Sequence, residues 1–211
     1  MITSLEQQLT QTRILPVVTP YTAEGTVELA KAMHAGGIGA IEITLRTDAA
    51  IEALIAVKEA NLDMLVGVGT ATNAHDIHKV SDIGVDFAVS PGVTPKILDA
   101  ARETGVKLLP GVSGPSDILL GFEYGLDLFK LFPAGAIGGE KMLKALHGPF
   151  PEIKFCPTGG VSPSNILDYL ALPNVICVGG SWMVPNDLVK SGSWEQITSL
   201  CSEAISLLES T

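Results

Sequence analysis

Lys130 stands inside the short apolar run Leu128-Phe129-Lys130-Leu131-Phe132-Pro133. Burying an ammonium without a partner is costly, so a lysine in such a run serves chemistry through its amine. Strand alternation sets Leu128, Lys130 and Phe132 on one face and Phe129 and Leu131 on the other. Both faces are mostly apolar, as a strand covered on two sides requires. A neutral lysine amine attacks a ketone and forms an iminium, which is an electron sink for breaking the adjacent carbon–carbon bond. A lysine that carries its charge out to water along its flexible stem is the competing structural reading.

A second run, Ile41-Glu42-Ile43-Thr44-Leu45-Arg46, turns its apolar residues one way and Glu42, Thr44 and Arg46 the other. With the apolar set outward against helices, Glu42 and Arg46 point inward, Arg46 at the far end of the strand. Glu42 can move protons in the carbinolamine and enamine steps, in part through water. Arg46 can grip the carboxylate of a 2-keto acid in bidentate fashion, helped by the hydroxyls of Thr70 and Thr158. The alternative is an internal Glu42–Arg46 ion pair that only fixes the strand.

Two glycine pairs complete the set: Thr158-Gly159-Gly160 ahead of Ser162-Pro163, and Gly179-Gly180-Ser181. Glycine lets backbone amides approach an anion, and a following helix N-terminus adds its dipole, so these loops suit a phosphate. Gly67-Val68-Gly69 begins like a dinucleotide fingerprint, but Thr72 stands where the third glycine belongs, and that reading is set aside. His75 and His78 flank Asp76 at helical spacing on an expected surface helix, a poor place for a metal centre.

The elements that must position these groups repeat along the chain. Strands are expected at Ile14–Val18, Ala40–Leu45, Leu65–Thr70, Phe87–Pro91, Lys107–Val112, Leu128–Phe132, Lys154–Thr158 and Val175–Gly179. Helical segments separate them, with start signals at Asp48, Asn73, Thr94-Pro95, Ser162-Pro163 and Pro185. An N-terminal helix in residues 1–12, read over Ser4 to Thr12, precedes the first strand. About eight strands at intervals of ~20 to 26 residues predict an α/β fold, a (β/α)₈ TIM barrel forming a single domain over residues 1–211, with a doubly wound open sheet as the competitor. Barrel active sites lie where strands end and βα loops begin, and phosphate sites in that fold use the last two loops.

Composition excludes other classes. The net charge of -10 argues against a nucleic-acid partner. No run approaches the ~18 apolar residues of a membrane span, and Met1 to Gln11 lacks a basic start and an apolar centre. Cys156, Cys177 and Cys201 form no C-x-x-C. Reduced, buried thiols in a cytoplasmic protein are therefore expected.

Taken together, these residues suggest a lysine-dependent aldolase acting on a phosphorylated keto acid. The segments Ile41-Glu42-Ile43-Thr44-Leu45-Arg46-Thr47, Gly67-Val68-Gly69-Thr70, Ser90-Pro91-Gly92, Phe129-Lys130-Leu131-Phe132-Pro133-Ala134, Phe155-Cys156-Pro157-Thr158-Gly159-Gly160-Val161 and Val178-Gly179-Gly180-Ser181-Trp182 resemble the class I 2-keto-3-deoxy-6-phosphogluconate (KDPG) aldolase family, also active on 4-hydroxy-2-oxoglutarate (KHG). The resemblance implies a homotrimer of (β/α)₈ barrels in the Entner-Doudoroff pathway, cleaving its substrate to pyruvate and glyceraldehyde 3-phosphate. It implies no metal and no cofactor other than the Schiff base on Lys130. It implies Glu42 as general acid/base, Arg46, Thr70 and Thr158 on the pyruvate carboxylate, Phe132 and Pro91 lining the pocket, and Gly159, Gly160, Gly180 and Ser181 on phosphate. Gly135 stands where the family pattern has glutamate, and the loops at Thr19-Pro20-Tyr21 and Ser113-Gly114-Pro115 also depart from it. Because these loops rim the pocket, the departures bear on substrate preference and leave open an aldolase for a related keto acid, such as the galactonate epimer or a non-phosphorylated one. A non-catalytic barrel that binds a phosphate ligand is the reading from another class.

Overall fold

Strands and helices alternate through a computed structural model in which residues 4–209 are described. The strands are β1 (Ile14–Val18), β2 (Ala40–Thr44), β3 (Leu65–Gly69), β4 (Phe87–Ser90), β5 (Leu108–Val112), β6 (Leu128–Leu131), β7 (Lys154–Phe155) and β8 (Val178–Gly180). The helices are α1 (Leu5–Thr12), α2 (Ala23–Ala35), α3 (Ala50–Glu59), α4 (Ala74–Ser81), α5 (Pro95–Thr104), α6 (Pro115–Glu123), α7 (Gly139–His147), α8 (Ile166–Leu170), α9 (Asn186–Ser191) and α10 (Trp194–Glu209). All eight strands run parallel in one sheet of order β7-β6-β5-β4-β3-β2-β1-β8. Beyond this ladder, Phe155 bridges to Val175 and Thr158 to Gly179.

Alternation along the strands separates two apolar clusters. Ile41, Ile43, Val66, Val68, Phe129 and Leu131 pack outward on helix residues such as Leu29, Leu54, Ile77 and Ile97. Leu15, Ala40, Phe87, Val89, Leu109, Leu128, Cys156 and Cys177 form a second cluster on the inner face, and Leu9 of α1 joins it. Helix α1 thus covers the amino ends of the strands. Its start is set by Ser4, whose hydroxyl accepts from the Gln7 N–H while the Gln7 side chain accepts from the Ser4 N–H. Residues 1–3 of the expected N-terminal segment lie outside the described residues.

Asn73 and Thr94 cap α4 and α5 as expected. Asp48 does not cap α3; Ala49 precedes that helix, with no side-chain hydrogen bond. The expected helix start at Ser162-Pro163 is also displaced. Asn165 accepts from the Ser162 N–H at 2.9 Å, the chain turns, and α8 begins only at Ile166. Strand β7 is two residues long rather than five, although Cys156 N–H and Thr158 N–H still donate to the Phe129 and Leu131 carbonyls of the β6 segment; Pro157 has no N–H to offer on the other side, where Thr158 forms a single bridge to Gly179. Strand β8 starts three residues later than expected. Val175 meets only Phe155, and pairing with β1 begins at Val178 opposite Ile14. All three cysteines are free and buried, and burial pushes the Cys201 thiol up to about 12, so it stays protonated and unreactive at neutral pH. Among the described residues no helix is long and apolar enough to cross a membrane.

Candidate active site

Glu42 and Lys130 come from strands four places apart in the sheet and meet on its inner face. The Lys130 Nζ donates to Glu42 Oε1 at 3.2 Å and to Oε2 at 3.3 Å. Lys130 is 5% exposed and Glu42 1%, so the pair is withdrawn from water. The competing sequence readings do not describe this arrangement: Lys130 does not reach out to solvent, and Glu42 pairs with Lys130, not with Arg46. A carboxylate thus lies against the amine in this covered setting. One proton can pass from Nζ to the carboxylate with no change in the charge of the pair. That transfer leaves a nucleophilic amine beside a neutral acid able to protonate a leaving hydroxyl. The Phe132 ring covers the same nitrogen, its centroid 5.4 Å away.

Arg46 follows β2, and its Nε donates to Thr70 Oγ1 at 3.0 Å. Thr70 has a left-handed backbone, φ 61°, which is unusual for a β-branched residue. Its neighbours hold it there: Leu45 N–H donates to the Gly69 carbonyl and Ala71 N–H to the Val89 carbonyl. Thr158 is buried at the end of the β7 segment, its hydroxyl directed to the Cys156 carbonyl at 3.4 Å. Among the described residues no hydrogen bond joins Thr158 to Arg46 or Thr70. The three share only the carboxyl end of the sheet.

The two glycine pairs differ. Gly159 and Gly160 have φ values of 92° and 82°, which glycine adopts readily, and among the described residues neither N–H donates to a protein acceptor. Their loop is tied to the one after β6 by bonds from Ala134 N–H to the Thr158 carbonyl and from Gly135 N–H to the Gly159 carbonyl. Gly135, the departure from the family pattern, thus adjoins this loop. At Gly180 a Cβ would overlap the Trp182 indole, so packing accounts for that glycine. The short α8 begins six residues after Gly160, so an anion at that loop would be held by loop amides rather than by a helix N-terminus. Pro91 follows β4 on the rim, and Gly111 of β5 leaves room for its carbonyl. His75 and His78 lie on α4, where His78 approaches Glu103 at 3.8 Å.

Sequence reasoning missed the inward glycines of β3. A Cβ at Gly67 would overlap the Phe87 ring, and one at Gly69 would overlap the Glu42 carboxylate. The available signal is small residues two apart in a buried strand.

The model of the KDPG and KHG aldolase family matches residues 5–200. The KHG/KDPG aldolase of Escherichia coli (strain K12) is 46% identical over 203 residues, 96% of this chain and 95% of that protein. Among solved structures, the KDPG aldolase from Legionella pneumophila, with pyruvate captured at low pH as a covalent carbinolamine intermediate, superposes with a TM-score of 0.92 at 43% identity, covering 95% of this chain and 98% of that one. The 2-keto-3-deoxy-6-phosphogluconate aldolase of Zymomonas mobilis ZM4 with 3-phosphoglycerate gives 0.87 at 38%, covering 95% and 94%. With the buried lysine and glutamate in contact and the match running nearly end to end, the chain belongs to the KDPG and KHG aldolase family.

Proposed function

We propose that the chain is a Schiff-base aldolase that cleaves 2-dehydro-3-deoxy-6-phosphogluconate to pyruvate and D-glyceraldehyde 3-phosphate, and 4-hydroxy-2-oxoglutarate to pyruvate and glyoxylate. The observation that carries this reading is the contact between Lys130 Nζ and both Glu42 oxygens on a covered inner face. The Lys130 amine adds to the C2 ketone to give a carbinolamine, and loss of water gives the iminium. Glu42 takes the proton of the C4 hydroxyl, the C3–C4 bond breaks, and its electron pair flows into the iminium to form an enamine as the aldehyde departs. Protonation at C3 and addition of water then release pyruvate and the free lysine.

In this reading Arg46, Thr70 and Thr158 hold the pyruvate carboxylate. Phe132 and Pro91 line the pocket, and Gly159, Gly160, Gly180 and Ser181 hold phosphate. The two undonated amides of the Gly159–Gly160 turn favour that loop for phosphate. We read the sheet as a closed (β/α)₈ barrel and residues 1–211 as one domain; the Phe155–Val175 and Thr158–Gly179 bridges between its two edges support closure. The family resemblance extends the reading to a cytoplasmic homotrimer without a metal or separate cofactor.

Borohydride reduction in the presence of pyruvate, followed by peptide mass spectrometry, tests the mechanism. A single reduced pyruvate on the Lys130 peptide is expected; a folded protein that gains no adduct would leave only a binding barrel. Two substitutions test the ends of the substrate. Ser181→Ala should raise KM for the phosphorylated substrate about tenfold with little change in kcat, the cost of one hydrogen bond to a charged group. An unchanged KM would remove Ser181 from the phosphate site. Thr70→Gly should stay within about 1 kcal/mol of wild-type stability, because released left-handed strain offsets glycine's greater freedom in the unfolded chain. It should still raise KM about tenfold on loss of the hydroxyl that fixes Arg46. A wild-type KM alongside an unchanged melting curve would mean that Arg46 holds its position without Thr70.

A further inference from the structure

Glu42 does not lie level with its own place in the sheet. Its Cα is paired with Gly67 on β3, while Thr44 is paired with Gly69. Yet the atoms that a Cβ at Gly69 would strike belong to Glu42: Oε1, Cγ at 2.6 Å and Cδ at 2.8 Å. The glutamate therefore leans one layer toward the carboxyl ends of the strands and lies across the bare β3 backbone at Gly69. In that posture both its oxygens come within 3.3 Å of Lys130 Nζ. Gly69 itself is buried, and its φ is not in the left-handed region, so conformational freedom is not what requires glycine there. What requires it is the volume taken by the carboxylate. Both Gly67 and Gly69 give their side-chain space to neighbours, one to the Phe87 ring of the inner cluster and one to the acid/base group.

We propose that Gly69 is a positioning residue for Glu42: the missing side chain is the seat that sets the carboxylate on Lys130 and on the proton it moves. The proposal rests on the acid/base role of Glu42 given above. Alanine at this position must push Cγ and Cδ by several tenths of an ångström or more, because neither the β3 backbone nor the strand-bound glutamate backbone can yield. A displacement approaching 1 Å at a reacting group costs about 100-fold in rate.

The test is a double-mutant cycle of Gly69→Ala with Glu42→Ala, read as kcat, KM and the pH profile of kcat/KM, with melting curves for all four proteins. Gly69→Ala is expected to lower kcat about 100-fold, to change KM by less than about threefold and to reshape the pH profile, because Lys130 loses its set proton acceptor. In the Glu42→Ala background, whose side chain ends at Cβ and leaves the notch free, the same alanine should cost less than about threefold. If Gly69→Ala does not fold, the melting temperature decides: Glu42→Ala/Gly69→Ala melting with Glu42→Ala supports the seat, and a double variant as unstable as the single one overturns it. A wild-type kcat and pH profile in Gly69→Ala, or an equal loss in both backgrounds, also overturns it. Pyruvate trapping by borohydride in the wild type separates the two levels. No adduct there removes the aldolase reading itself, whereas an adduct with an indifferent Gly69→Ala removes only the seat.

Discussion

Lys130→Met should abolish aldol cleavage and the borohydride-trapped pyruvate adduct together, because no other amine lies beside Glu42 among the described residues. Methionine nearly preserves the length and flexibility of the side chain, so packing against Phe132 is retained while the nucleophile is lost. A nucleophile that forms the intermediate has no partial substitute, so the loss should reach the detection limit rather than a fixed fold. Stability should fall as well. The Glu42 carboxylate, 1% exposed, loses the only cation that bonds it among the described residues, and removing one partner of a buried pair costs about 3–5 kcal/mol. Restoring neutrality with Lys130→Met/Glu42→Leu should recover most of that loss and none of the activity. Denaturant midpoints and adduct mass read the two effects separately. Residual cleavage with an adduct on another peptide would transfer the imine to a different lysine and break the assignment.

Sequence reasoning reached the contents of each strand further than the contacts between strands. Alternation in Ile41–Arg46 correctly put Ile41 and Ile43 outside and Glu42 inside, and in Leu128–Phe132 it correctly set Lys130 on the face opposite Phe129 and Leu131, because side chains alternate along a strand with period two. The meeting of Glu42 with Lys130 is a property of the curvature that brings β2 opposite β6, and no local pattern carries it. In the sequence only the chemistry of the imine links the two residues, and an internal Glu42–Arg46 pair remains there as the structural alternative. Glycines were legible as positions but not as functions. Gly180 reads as an anion loop in sequence, and the Trp182 ring also needs the space its side chain would fill, while Gly69 resembles a nucleotide motif yet accommodates Glu42. The empty space beside a glycine is defined by its neighbours, so its purpose is readable only when they are in place. The helix start at Ser162-Pro163 failed for a related reason: it is a good start signal locally, but Asn165 captures the Ser162 amide and delays α8.

Glu42→Gln separates the proton from the charge. The amide has the shape of the carboxylate and can still accept from Lys130 Nζ through its oxygen, so the fold and the seat over Gly69 should survive. What it cannot do is take the C4 hydroxyl proton or return one to C3. General acid–base catalysis by a positioned group is worth about 10²- to 10⁴-fold, and kcat should fall by that order. Imine formation should persist more weakly, since the amine remains and water can carry some of the protons. On prolonged incubation with borohydride, Lys130 should therefore still gain the reduced pyruvate, in contrast to Lys130→Met, where no exposure time produces one. Exchange of the pyruvate methyl protons with deuterium from solvent isolates the C3 step, because it needs the iminium and the enamine but no aldehyde. It should slow in parallel with cleavage. If exchange ran at the wild-type rate in Glu42→Gln while cleavage fell, Glu42 would act only on the C4 hydroxyl and another group would protonate C3. If neither changed, the carboxylate would be no more than a counter-ion for Lys130, and the role of Gly69 as its seat would lose its purpose in catalysis.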